Sequence, residues 1–173
     1  VNLLNSLYEK GNSSTEKCLG GYLLEYMPKL RNRMKPQLLD KWLENLTGWA
    51  QVDSLCQSKF GAKDLLNQWY EWKKLIKNLN KSSNINKRRA SLVLLTKPAR
   101  DSKEERFTRL AFENIETLKK EKDKLITKAI SWLLRDMIQL HREEVETYLE
   151  KNKDTLPKIA VRETTKKLET GRK

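Results

Sequence analysis

Trp49 and Asp53, in the stretch GWAQVDSLC, lie four residues apart. Helical geometry puts that pair on one face, with Val52, Leu55 and Cys56 on another. A carboxylate next to an indole on a largely apolar helix is costly to bury unless it is paired or hydrogen-bonded. Three more stretches carry polar groups into apolar helices. Arg88 and Arg89 enter NINKRRASLVLL, Trp132 and Arg135 sit in KAISWLLRD, and Arg162 opens the basic run VRETTKKL. Two indoles, one carboxylate and one guanidinium can supply π-faces and an anion for a cation, and a clamp for a phosphate. Each group also has a structural use. Tryptophans are ordinarily mostly buried, Asp53 can serve as half of an ion pair with an arginine, and Arg88 and Arg89 can form a solvated helix start.

Other chemistries lack their residues. The single histidine, His141, cannot build a zinc site with Cys18 and Cys56 far off in sequence, so no metal is expected. Neither a Walker loop nor GxGxxG occurs, so no nucleotide cofactor is expected. There is no nucleophile-elbow motif, and nothing beyond composition suggests a Cys–His pair.

The elements that must position these groups are helical. Six glycines and four prolines in 173 residues leave few strand-and-turn signals, while Lys, Leu and Glu favour helix. Nothing alternates with period two for long. The spacing predicts helices over residues 3–9, 15–27, 36–46, 49–59, 63–80, 84–96, 103–119, 122–140, 142–151 and 157–169. Gly20–Gly21 weaken the second, Thr47 caps the fourth, and Pro98 follows the sixth. The fold class is therefore all-α: about nine helices of helical-hairpin type, as a bundle or an α-solenoid, in a single domain over residues 1–173.

Charge points to the partner. The net charge is +13. Residues 1–60 hold eight Lys/Arg against six Asp/Glu, and residues 61–173 hold twenty-eight against seventeen. A segment this basic suggests a polyanion, most simply nucleic acid. No apolar run reaches the roughly 20 residues needed to span a bilayer, so no membrane partner is expected. Two cysteines make no disulfide framework, so a cytoplasmic setting is expected, with nucleoid association in a prokaryote.

The four stretches GWAQVDSLC, NINKRRASLVLL, KAISWLLRD and VRETTKKL, in this order and spacing, resemble the AlkD-like DNA alkylation repair family over roughly residues 37–168. KAISWLLRD is the most specific of them. The sequence departs from the family pattern at Asn86, where some members carry an aromatic residue, and at Ala50, often Asp. Its N-terminal helical region looks shorter than the family's.

The resemblance implies a HEAT-like α-solenoid with a concave basic face. It also implies a metal-independent, monomeric DNA glycosylase acting on double-stranded DNA that contains alkylated bases. Carried over by position, Trp49, Asp53, Arg89 and Trp132 correspond to the active-site residues, and Arg135 to a supporting arginine. Arg89 is expected to hold a backbone phosphate, with Lys87, Arg88, Lys128 and Arg162 as further backbone contacts. The implied reaction excises N3- or N7-alkylated purines. Asp53 stabilises the cationic sugar and positions water, while the two indoles face the cation. Two other functions remain open: a catalytically silent DNA- or RNA-binding relative, and a helical-repeat scaffold for protein partners.

Overall fold

Apolar residues recurring every three to four positions give helices with one apolar stripe, and without strands that stripe can be buried only against other helices. The computed structural model, which describes residues 1–57 and 60–172, contains no strand among them. The helices are α1 (Asn2–Asn5), followed by a π-helical turn at Ser6–Lys10, α2 (Ser14–Tyr26), α3 (Pro28–Arg33), α4 (Gln37–Glu44), α5 (Gly48–Cys56), α6 (Ala62–Asn67), α7 (Trp69–Asn80), α8 (Ile85–Asp101), α9 (Glu105–Leu118), α10 (Lys124–Met137), α11 (Arg142–Asn152) and α12 (Lys158–Thr170). The expected continuation of α5 to Lys59 falls on residues 58 and 59, outside the described ones.

The helices stack in two rows. α2, α5, α8, α10 and α12 lie side by side, each against the next, and α4, α7 and α9 pack against one another behind them. α11 extends the second row through a stack of Phe112 on Tyr148, with ring centroids 4.3 Å apart. Most side-chain hydrogen bonds between elements join residues 32 to 37 positions apart. They include Ser54 to Cys18, Lys77 to Glu113, Asn80 to Asn114 and Ser131 to Glu163. That interval is one helical hairpin with its joints, so each bond ties a helix to its counterpart in the next hairpin.

α8 is the hub, packed by α10, α7, α5 and α9. The sequence pattern ends it near Thr96, but it runs through Pro98 to Asp101. A proline inside a helix costs roughly 3 kcal/mol. Leu92, Val93, Leu94, Leu95 and Ala99 are all buried along this helix, and each large apolar side chain contributes about 1.5–3 kcal/mol. Burial therefore outweighs the break.

Two glycines have a similar explanation. α2 keeps Gly20 and Gly21 because a Cβ on Gly21 would meet the Ser54 carbonyl oxygen at 2.1 Å, and one on Gly20 would meet the Tyr8 ring at 2.5 Å. Missing side chains are what let α2 seat on α5. The helix expected over 63–80 is two helices instead. It breaks at Gln68, whose amide donates to the carbonyls of Asn32 and Met34 at 3.3 and 3.2 Å. No helix among the described residues is long and apolar enough to cross a membrane.

Candidate functional site

The site begins with how α5 starts. Thr47 stands at its N-cap, but its hydroxyl makes no capping bond. Instead the Gln51 side-chain oxygen accepts the Thr47 N–H at 2.8 Å. Gly48 has φ +77°, a conformation that favours glycine, and it turns the chain into the helix just ahead of Trp49. Val52, Leu55 and Cys56 are buried, while Trp49 is 59% exposed. Asp53, one turn on, reaches the same open side.

Asp53 faces Arg89 of α8, the adjacent helix of the row. Arg89 Nε donates to Oδ1 at 2.8 Å and Nη2 to Oδ2 at 2.7 Å, a bidentate pair. Nη1 donates to the Leu125 carbonyl of α10. Arg89 is thus the better buried partner, with 6% side-chain exposure against 15% for Asp53. Buried charges are tolerable when paired and hydrogen-bonded in this way. The fork expected to hold a phosphate is filled by Asp53.

α10 supplies the opposite wall. Lys124, Lys128 and Trp132 recur at four-residue steps and share one face of it. With Trp49, Asp53 and Arg89 they line an open cleft of about 630 Å³. Trp132 is half-buried against the core, and Lys128 and Lys124 are exposed. Neither lysine has a carboxylate partner among the described residues.

The DNA alkylation repair enzyme family model matches residues 1–168. The chain belongs to this family. A search of curated proteins found no match.

Not every expected contact of this repair-family chain reaches the cleft. Lys87 is turned to α4, where its ammonium pairs with Asp40 at 2.9 Å and with Glu44. Burial alone would lower its pKa, but the bonds to those two carboxylates outweigh it and hold the value above the usual one. Arg88 is forked onto Glu121 at 2.8 and 3.1 Å and also donates to the carbonyls of Ser82 and Ser83. Both residues brace the joints between hairpins, and neither lines the cleft. Arg162 is 75% exposed in a depression beside it. Arg135 does line the cleft, with its Nε held by the carbonyl and hydroxyl of Ser131 at 3.2 and 3.3 Å. Asn86 donates to the Leu46 carbonyl at 2.9 Å and so ties α8 to the joint before α5.

Sequence reasoning missed four charged groups on the cleft wall: Lys124, Arg100, Asp136 and Glu163. Lys124 was legible as one further step along the Lys128–Trp132 face. Arg100 was hidden by Pro98, since a helix ending at Thr96 would not carry it there. It pairs with Asp101 at 2.8 Å and with Asp136 at 3.7 Å. Glu163 reaches the cleft only because α12 packs on α10, where its carboxylate accepts from the Ser131 hydroxyl at 2.5 Å.

The remaining reactive side chains sit outside this chemistry. Burial first, and the Asp53 charge second, push the Cys56 thiol well above its usual range, which disfavours the thiolate a nucleophile needs. His141 is buried, with Nε2 2.8 Å from the Ser102 carbonyl and Nδ1 3.5 Å from Glu144, so it ties α11 to the joint after α8.

Proposed function

We propose that this chain is a DNA glycosylase that releases positively charged N3- and N7-alkylated purines from duplex DNA. The two rows of helices act in this reading as a HEAT-like solenoid and as a monomer. One observation carries it: an exposed indole and a carboxylate on α5 and a second indole on α10 share one open cleft, rimmed by Lys124 and Lys128, which have no carboxylate partner among the described residues.

The chemistry follows from charge. An alkylated purine carries a formal positive charge and is already a good leaving group. When its bond to C1′ breaks, the bonding electrons return to the base, which leaves neutral, and the sugar becomes oxocarbenium-like. Catalysis therefore means stabilising a cation. Asp53 offers its exposed edge to that cation and orients the water that adds to C1′ and gives up a proton to solvent. Arg89 acts through Asp53 by fixing the plane of the carboxylate from behind. Trp49 and Trp132 offer π-faces to the cationic base and sugar. Lys124, Lys128 and Arg162 neutralise the backbone, in a manner nearly blind to sequence. Every group used is a side chain or water.

The test is release of 7-methylguanine from methylated duplex DNA. The wild-type chain is expected to release it in a time-dependent reaction. Tight duplex binding without release would assign the cleft to a DNA-binding module, and neither release nor salt-dependent binding would sink both.

A further inference from the structure

A cleft that binds a duplex beside the lesion needs a guanidinium or ammonium for the flanking phosphate, and Arg89 is poorly placed to supply it. Its Nε and Nη2 are given to Asp53 and its Nη1 to Leu125, and it is 5% exposed. Arg135 is more open, with 18% side-chain exposure against 6% for Arg89. Its Nε is anchored by Ser131, and its Nη2 stands 3.5 Å from Glu163. Its Nη1 has no partner among the described residues and is not a buried unsatisfied atom. The guanidinium is therefore oriented from behind and open in front.

Arg135 also sits at a junction. It lines the cleft, and it lines the neighbouring depression with Arg162, Glu163 and Lys166. That depression gathers three cations around one carboxylate. Glu163 is engaged three ways, with the Ser131 hydroxyl at 2.5 Å, Arg135 at 3.5 Å and Arg162 at 3.9 Å. Lys166 has no carboxylate partner among the described residues. Arg162 and Lys166 are four residues apart on α12, so they share a face. A surface with this excess of fixed positive charge, contiguous with the cleft, suits a phosphodiester.

We propose that Arg135, not Arg89, takes the phosphate flanking the lesion, and that it opens onto an anion notch completed by Arg162 and Lys166. Glu163 and Ser131 are positioning residues that hold the Arg135 fork toward the strand. The proposal rests on the duplex-binding part of the reading above and not on base release.

The experiment measures binding to an undamaged duplex across a range of salt, so that failure of glycosylase activity does not enter it. Each cation removed from a backbone phosphate lowers the slope of log K against log salt by about 0.9. Arg135→Gln is expected to weaken binding about tenfold and to lower the slope by the equivalent of about one phosphate. Lys166→Ala should lower the slope too, and the double variant Asp53→Asn/Arg89→Gln, which removes the pair without changing net charge, should leave it unchanged. A duplex carrying one neutral methylphosphonate linkage, moved along the strand, adds a second readout. One position should weaken the wild-type chain and leave Arg135→Gln indifferent. Glu163→Gln should blunt that positional preference while keeping the slope. A slope lowered by Asp53→Asn/Arg89→Gln and untouched by Arg135→Gln would overturn the proposal. So would inorganic phosphate raising the melting temperature as much as the duplex does, since the notch would then be a small-anion site.

Discussion

Asp53 and Arg89, thirty-six residues apart, meet through two parallel hydrogen bonds of 2.8 and 2.7 Å. The pair locks α5 to α8, and the third contact of Arg89, to Leu125, carries the link on to α10. One guanidinium thus spans three adjacent helices of the row and sets the plane of the one carboxylate that the proposed reaction needs.

Asp53→Asn therefore has two consequences at once. Base release from methylated duplex should fall at least about 100-fold, since the charge opposing the cation is gone. The fold should also weaken by about 1–3 kcal/mol, because Arg89 keeps a neutral acceptor in place of its anion. At this chain length each kcal/mol lowers the melting temperature by about 2–4 °C. Kinetics and thermal melts are read on the same preparation. Undiminished release would remove Asp53 from the mechanism.

The two indoles should separate function from stability. Trp49 is mostly exposed, so Trp49→Ala should change stability by no more than about 0.5 kcal/mol. Removing its π-face should still slow release roughly 2- to 30-fold. Trp132 packs partly into the core, and Trp132→Ala should cost about 1–3 kcal/mol as well as activity. Equal stability losses for the two would contradict the exposure difference.

Gly21→Ala tests the seat of α2 on α5. The added Cβ meets the Ser54 carbonyl oxygen at 2.1 Å, and a backbone atom cannot step aside as a side chain can. The expected cost is about 1–3 kcal/mol in urea denaturation. Gly48→Ala meets no atom and is strained only by its φ of +77°, so it should cost less.

Acid titration should report the start of α9. The Arg106 guanidinium donates to both Glu104 oxygens at 2.9 Å and draws that carboxyl down from 4.5 to about 2. A depressed carboxyl pKa stabilises the fold above the unfolded value and loses that contribution as pH falls through the folded one. The window is thus pH 4.5 down to about 2. Carbon-detected NMR should find the Glu104 midpoint near 2, and Arg106→Gln should return it toward 4.5. An unchanged midpoint in that variant would exclude Arg106 as the cause.

Much of this was readable from local pattern. The four-residue step from Trp49 to Asp53, with Val52, Leu55 and Cys56 between and beyond, already separates an open face from a core face. The same four-residue step separates Lys128 from Trp132. Gly and Pro scarcity, with Lys, Leu and Glu in plenty, was enough for an all-α fold, because those are properties of single helices.

What periodicity could not reach is the partner across the gap. It puts Lys87, Arg88 and Arg89 in consecutive positions, each about 100° further round α8, but it does not say what each direction meets. Stacking decided that Lys87 meets Asp40 and Glu44, Arg88 meets Glu121, and Arg89 meets Asp53. It also carried α8 through Pro98 to deliver Arg100, and laid α12 on α10 to deliver Glu163. The sequence by itself determined that the elements are helices and which side of most of them is apolar, since both depend on neighbours three or four residues away, whereas the break at Gln68 and the run of α8 through Pro98 depend on packing. Only the tertiary structure decided which charges compensate each other and which stay open to a ligand. Those pairings join residues more than 30 positions apart, and they exist only once burial has set the helices in register.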